Sequence, residues 1–251
     1  KIIYATYEVR DGLAVSEGDY AIHGVPGTGS KIKIEFIYPA GSITKKLLPT
    51  GNPVDKINLG AKGNYTVSIV DAGNPVVFLK AEELGLKGTE LPVEVEGMPK
   101  TLALIEEIRS TAAEMIGIVS DKSLATSTSP AYPKIGFVSP AQNYVNPEGK
   151  LIEKESVDIV ARLASMQKMH RAYMITGAVC TSAAAKIKGT IVYDLLSDEV
   201  RAGNTLRIGH PYGPMETASV FEDGELKSVS VFRTARKIMD GLVYIPYSRI
   251  Q

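Results

Sequence analysis

The sequence predicts a mixed α/β fold of the α+β kind, and three observations carry that expectation. From Lys1 to Phe78 the chain reads as strand, turn and strand again, with "KIIYATYEV", "YAIHGV", "KIKIEFIY", "YTVSIV" and "PVVFL" separated by "RDG", "PGTG", "PAG" and "PTGNP". "PKTLALIEEIRSTAAEMIG" then sets Leu102, Ile105, Ile108, Ala112 and Met115 at helical spacing. Later, "TGAVCTSAAAKIKG" offers a helix of small residues among segments that read as strand.

The first strand carries Ile3, Ala5, Tyr7 and Val9 on one face and turns at Asp11-Gly12. It starts in mid-strand at Lys1, without a methionine, so sequence upstream of Lys1 is expected to be missing. "GVPGTGSK" at residues 24–31 has nearly the glycine spacing of a phosphate-binding P-loop, but Ser30 precedes Lys31 where the motif needs the reverse order. A P-loop must also open a helix, whereas the next residues alternate Ile32, Ile34 and Phe36 with Lys31, Lys33 and Glu35. The motif is therefore read as a turn between strands. Pro99 suits the first turn of the helix that follows, and Gly117 its end. The polar "SDKSLATSTSPAYP" is a loop leading into the strand "KIGFVS". "ESVDIVARLASMQKMH" is expected as the next helix, with Val157, Val160, Leu163, Ala164 and Met169 on its buried stripe. An extended "RAYMI", the small-residue helix, a strand-turn region ending in "RIGHPYGPM", the strand-like "KSVSVFRTARKI" and a last strand "LVYIP" complete the chain.

With 251 residues, 44% of them hydrophobic, the chain can bury a substantial core. Twenty-eight basic residues balance twenty-eight acidic ones, with no long run of one sign, so neither nucleic acid nor an anionic membrane is expected as a partner. Any anion must be met locally. A single cysteine excludes an internal disulfide, and His23, His170 and His210 lie far apart, so no metal site is expected. No stretch suits a bilayer span and no secretory signal is visible, which fits a reducing cytoplasm.

"TGAVCTSAAAKIKG" is the candidate anion site. Thr176 and Gly177 can make a turn, Ala178 keeps the approach open, and Thr181 and Ser182 supply hydroxyls before the alanine run, so first-turn amides would be accessible to an anion. An ordinary Thr/Ser-capped buried helix fits the same spacing. Cys180, in the same stretch, is either a thiolate favoured by a helix start or a small buried apolar residue. Upstream, Arg171 can bind a carboxylate bidentately and His170 can move protons near neutrality, or His170 can simply face a helix C-terminus. Asn74, before Pro75, either caps a turn or points its amide at a ligand, and His210 in "GHPYG" belongs to a tight loop.

Taken in order, "GVPGTGS", "LLPTGNPVD", "VSIVDAGNPVVFLKAEELGLKGTE", "SMQKMHRAYMITGAVCTSAAA", "RIGHPYG" and "VFRTARKIMDG" resemble the PrpF-type isomerases along nearly the whole chain. That family includes 2-methylaconitate cis-trans isomerase, 3-methylitaconate isomerase and 4-oxalomesaconate tautomerase. The resemblance implies a diaminopimelate-epimerase-like fold of two similar domains, each with strands wrapped around a central helix, and a site in the cleft between them. It implies that residues 1–235 form the C-terminal-type domain, that 236–251 return as a strand onto a missing N-terminal domain, and that this domain brings a "GN-Cys-GN"-like helix start and a catalytic lysine. This chain would then hold half of the active site. More distant epimerases align "HRAYMITGAVCTS" on their own loop, with Arg171, Thr176, Thr181 and Asn74 on matching residues, but their catalytic cysteine falls on Val179 and their glutamate on His170. The implied function is a cofactor-independent isomerase of unsaturated di- or tricarboxylates. His170 and Cys180 are the catalytic candidates, and Asn74, Arg171, Thr176, Gly177, Ala178, Thr181, Ser182 and His210 the substrate-binding ones. The expected partners are a small unsaturated polycarboxylate and the N-terminal domain, with a further copy of the chain allowed. An amino-acid racemase or epimerase of the same fold, or a non-catalytic carboxylate-binding or oligomerisation fragment, are the alternatives.

Overall fold

A computed structural model describes residues 2–249. Eleven strands form its main sheet: β1 (Ile2–Thr6), β2 (Ile32–Ile37), β3 (Asp55–Asn58), β4 (Asn64–Ala72), β5 (Asn74–Lys80), β6 (Lys134–Pro140), β7 (Ile159–Ser165), β8 (Lys168–Met169), β9 (Thr205–His210), β10 (Gly213–Glu222) and β11 (Glu225–Arg233). Their order is β1-β2-β11-β10-β9-β7-β6-β5-β4-β3, with β8 paired to β7. The pairs β5/β6 and β7/β9 are parallel and the others antiparallel. Three α-helices matter here: α1 (Pro92–Glu96), α2 (Pro99–Met115) and α3 (Ile175–Ala184).

α3 touches β4 and β5 near one end of the strand order and also β9, β10 and β11 towards the other. A flat sheet could not do this, so the strands curl around α3. Its small residues allow it: Gly177 to Ala184 are all buried, and Val70, Phe78, Ile159, Leu163, Ile208 and Val229 close on them. On the opposite face of β4–β7, Val67, Ile69, Val77, Leu79, Ile135 and Phe137 form a second core with Ile105, Ile108 and Ala112 of α2. The middle strands are therefore buried on both faces.

This two-sided burial corrects one expectation. Residues 155–170 form no α-helix: after a single 3-10 turn at Lys154–Ser156, β7 and β8 are a hairpin whose turn residues, Met166 and Gln167, both have positive φ (54° and 57°), as a two-residue hairpin turn of mirror type requires. Val157, Val160, Leu163 and Ala164 fit helical spacing only because a strand covered on both sides is apolar at nearly every position. Ile159, Ala161 and Leu163 face α3, and Ala164 faces α2. The expected last strand "LVYIP" is likewise not a strand: residues 234–246 have no regular structure, and Leu242, Val243 and Tyr244 are exposed. A strand exists through its partner's hydrogen bonds, and none of the described residues pairs with this segment.

The helix of α2 is as expected, except that Met115 is exposed. "GVPGTGSK" precedes β2, as its alternation predicts. It forms the tip of a small hairpin, Tyr20–Ala21 with Thr28–Gly29. No helix is long and apolar enough to cross a membrane among the described residues.

Candidate active site

Strand polarity decides which ends gather. β5, β6, β10 and β2 start, and β7, β9 and β11 finish, on the same rim of the curled sheet. Asn74, Lys134, Ser165, His210, Gly213, Arg233 and Ile32 thus share that rim. α3 begins there too, since Asn74 Nδ2 donates to Thr176 Oγ1 at 2.7 Å across 102 positions. Two glycines bring the helix so close. Gly73 turns with φ 73°, and a Cβ on it would lie 3.2 Å from Val179 Cγ1. A Cβ on Gly177 would lie 2.2 Å from Leu163 Cδ1, and Leu163 cannot retreat because Gly136 already backs onto its Cδ2.

The helix start has no side-chain cap, its N-cap being Met174. Its first bond is Ala178 N–H to the Met174 carbonyl at 2.8 Å, and the amides of Ile175, Thr176 and Gly177 find no acceptor among the described residues. An anion placed there would be favoured by about 0.3–1 kcal/mol if exposed and up to about 2 if partly buried.

The rest of the expected loop lies elsewhere. Thr176 to Ser182 is helix, so Thr181 and Ser182 are not caps and only the first three amides of α3 remain available. Ala178, Thr181 and Ser182 are core positions: Thr181 Oγ1 donates to the Gly177 carbonyl at 2.8 Å and meets the buried Tyr173 hydroxyl at 2.9 Å, while Ser182 Oγ has no partner. Cys180 is fully buried, donates to the Val70 carbonyl at 3.1 Å, and burial pushes its thiol far up. It is mid-helix and faces the core, because period 3.6 turns it away from the rim. Cys180 is therefore expected to resist iodoacetamide in the native protein at mildly alkaline pH and to react once denatured, as mass spectrometry would show; native labelling would mean that α3 opens.

His170 is half-buried beyond β8, and its Nδ1 accepts the Ala172 amide at 3.2 Å. The ring proton of the neutral form then sits on Nε2. Burial, and secondarily the charge of Lys134, lowers its pKa, so it is neutral near pH 7. Arg171 is largely exposed and bound to Glu96 of α1 at 2.9 Å, so its fork is partly occupied. His210 is the last residue of β9 rather than a loop residue. It is 1% exposed, with Nδ1 accepting the Tyr212 amide at 3.3 Å. Burial first, then Arg162, His23, Arg233 and His170, lowers its pKa to about 3. That field ties His170 to the His210 cluster.

Three residues of this region escaped the sequence reading. Arg162, fully buried on β7, donates to the carbonyls of Glu90, Ala161, Gly209 and Thr89 and lies 5.2 Å from the Tyr144 ring. Tyr144 in turn donates to the His210 carbonyl at 2.7 Å. Arg233 ends β11. A charged residue inside an apolar strand such as "IVARLAS" is the signal that would have pointed to Arg162. At the opposite strand ends, a cavity of about 580 Å³ is lined by Asp158 and Arg207, but these two are paired with each other and leave no free cation for an acid. No group of three His, Cys, Asp or Glu residues able to hold a metal lies among the described residues.

The sequence matches the family described as PrpF protein over residues 1–246. It is 41% identical over 251 residues to the 3-methylitaconate isomerase of Eubacterium barkeri, covering 100% of this chain and 66% of that protein. With the 2-methyl-aconitate isomerase of Shewanella oneidensis it shares 34% identity over 257 residues, covering 98% of this chain and 63% of the other. The crystal structure of methylitaconate-delta-isomerase superposes with a TM-score of 0.91 at 41% identity, over 99% of this chain and 64% of that one. The chain thus spans about two thirds of the length of these relatives.

Proposed function

Because the chain belongs to the PrpF protein family, we propose that the whole protein is a cytoplasmic, cofactor-independent isomerase that moves a double bond within a small unsaturated di- or tricarboxylate. The observation that carries this reading is the bare start of α3: three amides without an acceptor among the described residues, held against the sheet by Gly177 and Asn74, in a chain of zero formal net charge. Relatives named 3-methylitaconate isomerase and 2-methyl-aconitate isomerase support the substrate class.

The reaction removes a proton from a carbon allylic to the double bond and returns one at the far end, with negative charge spreading into a carboxylate between the two steps. Fixed N–H donors stabilise such charge best where it develops and where water is scarce. The amides of Ile175, Thr176 and Gly177 would bind that carboxylate, and Asn74 holds Thr176 in place. His170 would add a neutral donor at Nε2, because its Nδ1 is engaged by Ala172. We place the proton-abstracting base on the N-terminal domain that the family resemblance implies.

The test is isomerisation of 3-methylitaconate and 2-methylaconitate by the whole protein in D₂O, followed by proton NMR. Turnover with deuterium entering the allylic positions is expected. His170→Asn should lower kcat by roughly 10²-fold or more, the scale of losing one placed donor, while Cys180→Ala changes kcat only a few-fold. Epimerisation of an α-amino acid that depends on Cys180, with no turnover of the unsaturated acids, would overturn the reading.

A further inference from the structure

A cavity of about 20 Å³ opens on the same rim, between Tyr20, His23, His210, Phe232 and Arg233. We propose that Arg233, flanked by His23 and His210, binds a second carboxylate of the substrate, a role that rests on the reading of this protein as an isomerase of small polycarboxylates.

The guanidinium is the main observation. Arg233 is half-buried, yet its one hydrogen bond is from Nη1 to the Phe232 carbonyl at 2.9 Å, and no carboxylate pairs with it among the described residues. Other buried or part-buried arginines are engaged: Arg109 by Glu106, Arg201 by Asp198 and two backbone carbonyls, and Arg162 by four carbonyls. A guanidinium has five donors in a fork that matches a carboxylate. Four of those on Arg233 are unused. Burial lowers its pKa without neutralising it. Glu216 also lines the cavity, but it stands beside Lys31 at 4.0 Å, and Lys31 Nζ lies 3.9 Å from the Phe232 ring centroid.

One neighbour is a donor as well. With Nδ1 taken by the Tyr212 amide, neutral His210 carries its proton on Nε2. Size sets the ligand: the cavity admits about one water-sized group, so it suits the end of a carboxylate rather than a phosphate ester or a ring. The other carboxylate of a diacid is assigned to the start of α3, which lies on the same rim.

The glycines of residues 24–29 build this wall. A Cβ on Gly24 would lie 2.8 Å from Tyr212 Cγ, one on Gly213 2.5 Å from His23 Nδ1, and one on Gly29 3.2 Å from Thr234 Cβ. Gly24 and Gly29 of "GVPGTGSK" therefore serve to interlock with the His210–Gly213 turn and with the residue after Arg233, not to cradle a nucleotide.

The experiment uses the whole protein and its Arg233→Gln and Arg233→Lys variants. KM for 3-methylitaconate is measured together with the dissociation constants of 2-methylsuccinate, a saturated diacid that cannot isomerise, and of butyrate, which has one carboxylate. Arg233→Gln is expected to raise KM and the 2-methylsuccinate constant by about 10- to 100-fold, the scale of a lost charge-assisted bond, with butyrate affinity and kcat nearly unchanged and partial rescue in Arg233→Lys. Diacid affinity within twofold of wild type in Arg233→Gln, equal weakening of diacid and monoacid, or no binding of 2-methylsuccinate to the wild type overturns the proposal. Arg233-dependent diacid binding without isomerisation of 3-methylitaconate would keep this site and overturn the isomerase reading instead.

Discussion

Replacing Arg162 with methionine is expected to cost about 3–5 kcal/mol of folding free energy, the range seen when one side of a buried charged network is removed. The side chain is 1% exposed and holds the Thr89 and Glu90 carbonyls, the Gly209 carbonyl and its own strand together, at 2.8 to 3.1 Å. Burial lowers its pKa to about 10, so it remains cationic at neutral pH and its hydrogen bonds stay charge-assisted. Methionine fills much of the volume but donates nothing, leaving carbonyls on three segments without a donor in a dry place, each costing about 1–3 kcal/mol before any relaxation. Lysine would restore the charge but not the planar fork, and should recover less than half of the loss. Urea titrations of the three proteins check this; a loss under about 1 kcal/mol for the methionine variant would mean that water reaches these carbonyls.

Asp71→Ala is expected to be nearly as costly, about 3–4 kcal/mol, because one carboxylate collects four donors of a turn. Asp71 is fully buried at the end of β4 and accepts from Ser42 Oγ, from Ile43 N at 2.8 Å, and from Thr44 N and Oγ1 at 2.7 and 2.9 Å. Its backbone bonds to Gly41 and Leu47 as well, and with the Gly73 amide on the Pro39 carbonyl and the Ala40–Ala72 bridge these contacts fasten residues 39–50 to the sheet. Asp71→Asn should lose only about 1 kcal/mol, since its carbonyl can take the three contacts of Oδ2 and its amide can turn to Ser42 Oγ. Hydrogen exchange of the Ile43 and Thr44 amides separates the two cases: fast in the alanine variant, protected in the asparagine variant. Equal stability of all three proteins would refute the assignment.

Neither residue could be found from spacing, and the reason is physical. Asp71 and Arg162 are anchored by groups 27 to 73 positions away in the chain, whereas periodicity and turn rules report on neighbours within about one or two turns. Where burial is two-sided, as in β7, the polar positions that would betray period 2 are absent, and a helix was expected instead. The region of the candidate site was legible in "ITGAVCTS", but not which of its residues face the rim, because the helix begins at Ile175, two turns before the hydroxyls that resemble caps.

The curl of the sheet around α3 also bears on how the chain reaches its native state. A ten-residue helix is too short to persist alone in water. Its fastenings come from far along the chain: Asn74 to Thr176 over 102 residues and Val70 to Cys180 over 110, while β2 must meet β11 nearly 200 residues later. Each of these is a loop to be closed before its contact contributes, so the chain belongs with slow, high-contact-order folders and has α3 locked in only as the last strands wrap it. The bare amides of its first turn therefore come into being with the complete sheet, and an intermediate lacking β9 to β11 would have no site to offer.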